Sequence, residues 1–295
     1  MRRSIWIVFS LLCVLLSSSW LLPAGAAESS PITQQSYFYA VVGFVAWIFS
    51  YRQVWDRLKN DKLAWLQLAG MSILLLGLPA VLDEWLRDGV SDISRSAFFA
   101  MVPFIVVVVA MGRDLEPGVR RFFAPALTGF GGALLLLPFS VPMSLRGRIM
   151  FGVLVLAIVL VGFASESIYR LLRGFGMIEA LAVICLSNAV FLVACHFAGL
   201  PFAESWSGPS ILISIHSLYN LLELLLLVWL LHEMTPVRLS TRYLVVPLLT
   251  VLEGLAFLHP PLTVRMAAGL ALLAGGVGYM LFSRGRDSDA VLSIR

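Results

Sequence analysis

Ten stretches of mostly apolar residues, each near the roughly 20 residues that cross a bilayer as a helix, dominate this chain. They cover residues 4–22, 35–51, 63–82, 96–112, 122–139, 149–167, 177–199, 210–231, 243–258 and 266–282. Backbone N–H and C=O groups in hydrocarbon find no water, so such segments must satisfy them internally, as helices. The expected fold is therefore all-α, an integral membrane protein of ten transmembrane helices. Of the 295 residues 60% are hydrophobic and only 13% charged, against about 25% charged in soluble domains. That composition excludes a water-soluble domain. The connections are short and leave almost no chain for one.

The distribution of Lys and Arg sets an orientation. With a cytoplasmic N-terminus, the cytoplasmic segments hold sixteen of the 21 basic residues, including Arg52, Arg57, Lys59, Lys62, Arg113, Arg170, Arg173, Arg238 and Arg242. The outer loops hold Arg87, Arg95, Arg146, Arg148 and Arg265. Positive charge collects on the cytoplasmic side, so both termini are expected there, in a bacterial-type inner (plasma) membrane. A second reading of the first span exists: Arg2-Arg3, an apolar run and Ala24-Gly25-Ala26 also fit a cleavable signal peptide. The charge count and the repeat below favour a retained helix. The net charge of +4 does not indicate nucleic acid, because the basic residues lie in small clusters between apolar runs. The three cysteines, Cys13, Cys185 and Cys195, are all in apolar stretches and too few for a disulfide framework. No metal-ligand spacing, phosphate-binding glycine loop or nucleophile elbow is present, so no metal or cofactor is expected.

Sliding the chain against itself by 144 residues exposes a repeat. Over residues 102–132, eight positions are identical without a gap, where composition alone gives about three: Val102/Val246, Pro103/Pro247, Val107/Val251, Pro117/Pro261, Arg121/Arg265, Ala124/Ala268, Gly131/Gly275 and Gly132/Gly276. The expected units are residues 1–144 and 145–295. Five helices per unit is an odd number, so the second unit enters the membrane inverted, a recurrent plan of secondary transporters.

With these motifs the chain resembles the drug/metabolite transporter superfamily, EamA type, over essentially its whole length. In that family each five-helix half carries a mid-helix proline, a Leu-Gly-Glu-x-Leu-Thr turn and a Gly-rich last helix. Here Pro103, Glu116 and Gly129, Gly131 and Gly132 match in the first half. Pro247, Pro261-Leu262-Thr263 and Gly269, Gly275, Gly276 and Gly278 match in the second. Pro260 departs from the pattern, standing where the turn carries glutamate, as does Tyr37-Phe38-Tyr39, where many members carry an arginine. The resemblance implies two inverted five-helix repeats and a secondary transporter, in the direction of export.

Polar side chains within apolar spans are costly and mark protein-facing or cavity-facing positions. The eighth span holds His216, Tyr219, Asn220 and Glu223. His216, Asn220 and Glu223 recur at i, i+4 and i+7 and are expected on one face, with Tyr219 beside them. His216 and Asn220 would hydrogen-bond a substrate, and Glu223 would carry a coupling proton; the alternative is glue between helices. Glu253 in the ninth span would gate the outer mouth or pair with His259 or His216, and Asn188 lies midway along the seventh. Ser17, Ser18 and Ser19 would line a pathway. Glu166 and Glu179 near cytoplasmic ends are expected to snorkel or to pair with Arg170 and Arg173. No Lys or Arg lies deep in a predicted span, which points to a small, partly apolar or zwitterionic metabolite such as an amino acid. The expected partners are that small molecule and the bilayer, with a homodimer open and no nucleic acid.

Two other function classes fit parts of the pattern. Glu166, His196, His216 and Asn220 resemble the residues of intramembrane CAAX-protease-like peptidases, which activate a water between glutamate and histidines. Against it, Glu166 is expected at the inner face and both histidines at the outer. A non-transporting assembly factor is the third class. Transport, with no enzymatic activity, is the first expectation.

Overall fold

The structure is a computed structural model, described here for residues 3–19, 31–86, 90–113, 118–137, 144–198, 215–259 and 263–283. Those residues are helical with no strand, in ten helical segments. They are α1 (Arg3–Ser18), α2 (Pro31–Asn60), α3 (Lys62–Leu86), α4 (Ser94–Gly112), α5 (Phe123–Leu136), α6 (Leu145–Leu172), α7 (Met177–Phe197), α8 (Ile215–Glu233), α9 (Pro236–Leu258) and α10 (Val264–Phe282). Six of these, α3, α4, α6, α7, α9 and α10, are long and apolar enough to cross a membrane. Their outer faces carry large apolar side chains in the open, among them Leu63, Ile149, Leu156, Val190, Phe257 and Val264. A surface of that kind is sustained by lipid, not by water.

Three helices depart from regularity where the sequence gives a reason. α3 widens into a π-helical turn at Ile73–Gly77, just before Pro79. Proline supplies no N–H and crowds the preceding turn, so the hydrogen-bond ladder shifts by one residue. α4 is interrupted at Ala100–Met101, and its second part begins at Val102 with Pro103 in the first turn. α9 is interrupted at Thr241 and holds Pro247 in its interior. α2 runs to Asn60, well past the expected end at residue 51. Its last turns, Tyr51 to Asn60, are mostly polar and, apart from buried Val54 and half-buried Arg57 and Leu58, exposed, yet still helix-forming.

One end of the bundle is basic. There the end of α2, the α6–α7 turn and the end of α8 meet: Arg57 donates to Gly174 O, its guanidinium lies over the Phe175 ring, and His232 Nε2 is 3.4 Å from Phe175 O. Trp6 at the start of α1 stacks on Phe282 at the end of α10. At the opposite end Arg95 pairs with Asp83, and Arg265 donates to Leu135 O.

Two helix pairs make the longest seams. α2 lies antiparallel along α7, and α5 antiparallel along α10. Glycine lets the backbones approach. A Cβ on Gly43 would stand 2.9 Å from Cys185 Cβ and 2.9 Å from Leu186 N. On α5 a Cβ at Gly132 would stand 2.5 Å from Leu273 N and 2.9 Å from Gly269 O. On α10 a Cβ at Gly276 would stand 2.7 Å from Pro125 O and 2.8 Å from Gly129 Cα. Small residues that admit close backbone approach are the usual means of helix association where hydrocarbon gives no hydrophobic drive. Around these seams α1 packs on α8 and α9, α6 on α3 and α4, α7 on α3 and α8, and α4 on α5 and α9.

Candidate functional site

The polar groups of α1, α2, α8 and α9 come together in the interior. α1 contributes Ser17 and Ser18 from its last turn. Ser17 Oγ lies 2.6 Å from Glu253 Oε1 of α9, and Ser18 Oγ 3.4 Å from the Tyr219 hydroxyl of α8. Tyr219 and Glu223 are one turn apart on α8 and so share a face. The Tyr219 hydroxyl is within electrostatic reach of both Glu223 and Glu253. From α2, buried Tyr39 lies within electrostatic range of Glu223 and Cys185, and its hydroxyl accepts a hydrogen bond from Gln35 Nε2 at 3.3 Å. Arg242, in the first turn of α9, lies within electrostatic range of Glu223. It is buried, with its charge over the Tyr243 ring at 4.7 Å and Nη2 donating to Tyr243 Oη at 3.0 Å.

This arrangement revises the expected stripe on α8. Glu223 points inward with Tyr219, whereas Asn220 is exposed and stands off the cluster. The backbone of His216 lies on α8, but its side chain is outside the described residues. Glu253 meets Ser17, a partner on another helix that spacing within α9 could not suggest. Arg242 is the charged group that the sequence reading left at the membrane surface: as the first residue after the Thr241 break it is counted with the loop, yet packing buries it.

Asn188 forms a separate polar contact between α3 and α7. It is fully buried; Nδ2 donates to Ile184 O at 2.7 Å and to Ser72 Oγ at 3.3 Å, and Ser72 and Ser187 hydroxyls are 2.9 Å apart. Asn188 Oδ1 has no hydrogen-bond partner and faces Gly77, the last residue of the π turn. Asn188 therefore bonds helices together at the irregular point of α3.

The two inner glutamates are bound structurally. Glu166 accepts from Arg113 at 2.5 Å and from Arg170 at 3.0 Å, with Arg113 also over the Phe163 ring. Glu179 accepts from Arg57 at 3.3 Å and from the Gly176 backbone N–H at 3.1 Å, closing the first turn of α7. Arg170 is the partner expected for Glu166; Arg57 takes the place expected of Arg173, which bonds the Tyr169 hydroxyl instead. Both carboxylate oxygens of Glu166 thus face guanidiniums and are occupied by these ion pairs. His196, at the far end of α7, lies against the Phe197 ring. Among the described residues no three His, Cys, Asp or Glu side chains come within metal-binding range. A cleft of about 450 Å³ opens at the basic end, lined by Gln53, Asp56, Arg57, Asn60, Asp61 and Glu179, and contains none of the α1, α8 or α9 cluster. At that cluster the Ser17–Glu253 and Ser18–Tyr219 contacts tie α1 to α9 and α8.

No protein-family model matches the chain, and no curated protein matches it. Sixteen solved chains match by fold. One, described only as "Crystal structure of protein", superposes with a TM-score of 0.69 over 96% of this chain and the whole of its own, at 16% identity. The helical arrangement is thus a recurring one, shared end to end; at that identity the likeness extends to the fold alone. Glu116, Pro260, Pro261 and Leu262, which carry part of the sequence resemblance, lie outside the described residues.

Proposed function

We propose that the chain is a secondary active transporter of the drug/metabolite transporter type. Ten spans form two inverted five-helix halves, residues 1–144 and 145–295, with both termini cytoplasmic and a small metabolite moved by alternating access. One observation carries the reading: the α5–α10 seam is reciprocal under the 144-residue shift that the sequence repeat defines. Gly132 meets residues 269 and 273, and Gly276, which is 132 shifted by 144, meets residues 125 and 129, which are 269 and 273 shifted back. A contact in which i meets j while the equivalent of j meets the equivalent of i is the mark of a two-fold relation.

The remaining packing supports the same exchange, in which each helix of the first half takes the place of the one five later. α2–α7, α5–α10 and α4–α9 map onto themselves. α1–α9 maps onto α6–α4, α1–α8 onto α6–α3, α2–α3 onto α7–α8, and α4–α5 onto α9–α10, and all are present. The extensive α3–α7 packing lacks an equally extensive α8–α2 counterpart, and the lesser contacts α6–α8, α6–α9 and α5–α9 lack equal counterparts in α1–α3, α1–α4 and α4–α10. Two halves of like topology held in unlike conformations are what alternating access requires, since exchanging the conformations moves the opening from one side to the other. The polar cluster on α1, α2, α8 and α9, drawn from both halves, is where a substrate would be held, with Glu223 and Glu253 as the groups able to couple a proton.

The test is counterflow in proteoliposomes: purified protein, liposomes preloaded with unlabelled compound, and a panel of labelled amino acids, amines and carboxylates outside. Saturable uptake that exceeds protein-free liposomes and falls with Glu223→Gln supports the reading. Absence of flux across the panel from protein that remains folded and monodisperse would overturn it, as would tags on Met1 and Arg295 labelled from opposite sides.

A further inference from the structure

α2 outlasts its apolar stretch, and the face it leaves open changes character along the axis. Phe44, Ile48, Tyr51, Arg52, Trp55 and Lys59 fall within about 100° of one another on a helix of 3.6 residues per turn. All six are exposed, while Gly43, Ala46, Ser50 and Val54 on the other side are buried and α2 lies along α7. The open stripe is wholly apolar at Phe44 and Ile48 and turns amphipathic at Tyr51 and Trp55, whose rings stack at 6.2 Å between centroids. Its cations flank Trp55 along the axis: Arg52 on one side, and on the other Lys59, with Nζ 5.1 Å over the Trp55 ring.

Neither cation is neutralised within the fold. Asp56 stands one turn from both, at the spacings where helix ion pairs form. Among the described residues it pairs with neither, and it lines the polar cleft instead. Arg57, on the cleft side, is by contrast committed to Glu179. Tyr and Trp collect at headgroup level, where an apolar ring meets hydrocarbon and its polar end meets water. Lys59 stands about 6 Å beyond Trp55 at 1.5 Å per residue, which matches the roughly 5–8 Å of headgroup region on each side of the hydrocarbon core. Two uncompensated cations on a stripe continuous with lipid-facing side chains are complementary to an anion that arrives attached to hydrocarbon.

We infer that the end of α2 binds an anionic phospholipid, its phosphate met by Arg52 and Lys59 and its glycerol and upper acyl region against Trp55, Tyr51 and Ile48. The inference rests on the membrane placement of the chain, not on what the chain transports, so a failed flux assay leaves it standing.

Native mass spectrometry of the purified protein with phosphatidylglycerol and phosphatidylcholine, alike in acyl chains and different in headgroup charge, tests it. Each basic side chain at an anionic surface is worth about a fivefold gain in affinity, so the pair should favour phosphatidylglycerol by about twenty-fivefold. The double variant Arg52→Gln/Lys59→Gln should reduce that preference to about twofold or less. Arg120→Gln/Arg173→Gln removes equal charge from other exposed residues at the basic end and should leave it intact. Trp55→Leu keeps both charges and an apolar body but removes the ring beneath Lys59, and should weaken both lipids. No preference for phosphatidylglycerol in the unaltered protein, or a preference that survives the Arg52/Lys59 variant, would overturn the inference. An equal loss in the Arg120/Arg173 variant would reduce it to diffuse surface charge and overturn the site. Unchanged binding in Trp55→Leu would overturn the place given to the ring.

Discussion

The glycine pairs of α5 and α10 give a test with controls built into the sequence. In each pair one glycine faces the seam and its neighbour faces open space: a Cβ at Gly131 or Gly275 meets nothing within 4 Å, whereas one at Gly132 or Gly276 collides with the facing backbone. Replacement by alanine gains about 1 kcal/mol of helix propensity at all four positions. At Gly131 and Gly275 that gain stands alone. At Gly132 the new methyl would lie 2.5 Å from Leu273 N, and at Gly276 2.7 Å from Pro125 O, so the seam must open by about 1 Å to reach ordinary contact. A gap of that size forfeits about a quarter to a half of each atom pair's 0.1–0.2 kcal/mol, which over a few tens of pairs amounts to about 1–3 kcal/mol. The overpacking penalty measured in other cores is of the same order, about 1–3 kcal/mol. Gly132→Ala and Gly276→Ala should therefore be less stable than Gly131→Ala and Gly275→Ala by about 1–3 kcal/mol, once the propensity gain common to both has cancelled. Equilibrium unfolding in mixed detergent–SDS micelles measures the four variants on one scale. Equal stability within either pair would refute the close seam. A loss at Gly132 without a matching loss at Gly276 would refute its reciprocity, and with it the two-fold relation of the halves.

Glu166→Gln removes the charge that Arg113 and Arg170 share; because those guanidiniums are part-exposed, the loss should be about 1–3 kcal/mol, below the 3–5 of a fully buried pair, and thermal unfolding at low and high salt will show it. Maleimide labelling of native protein should modify Cys195, which is part-exposed, and spare the buried Cys13 and Cys185 until denaturant is added; rapid labelling of Cys185 would contradict the α2–α7 seam. Asn188→Ala deletes the bonds to Ser72 and Ile184 together with an unpartnered oxygen, so it should cost only about 1 kcal/mol, whereas Asn188→Leu pushes a larger group at Gly77 and should cost more in the same unfolding assay.

Hydropathy alone was enough to locate the ten helical segments, six of which are long and apolar enough to cross a membrane. It was blind where the reason for a helix is not apolarity. The α2 extension from Arg52 to Asn60 follows from helix-forming side chains and from Arg57 anchoring on Gly174 and Glu179, contacts 117 and 122 residues away in sequence. The partner of a buried charge is equally invisible from its own helix: Arg170 lies one turn from Glu166 and was legible, while Arg113 arrives from α4 and was not. The candidate cluster divides in the same way. Tyr219 and Glu223 share a face by simple periodicity, but Ser17 and Arg242 join them only because α1 packs against α8 and α9. Asn220 had the spacing of an inward residue and is exposed, since which side of α8 is covered depends on its neighbours.

The distribution of burial along the two proline-bearing helices says which parts of a carrier could move. Under the proposed repeat α4 and α9 are counterparts through Pro103 and Pro247, yet half of α4's apolar stretch is buried against 17% of α9's. α4 is fixed through Arg113 to Glu166 on α6, whereas the corresponding contact of α9 with α1 is the Ser17–Glu253 hydrogen bond. An ion pair backed by a second arginine resists opening more than one hydroxyl–carboxylate bond does. The seams of α5–α10 and α2–α7, closed by backbone contact at glycines, have no comparable freedom. Of the six long apolar helices, α9, which carries Glu253, is thus the least embedded, and in the proposed carrier it is the helix whose displacement exposes the least new surface.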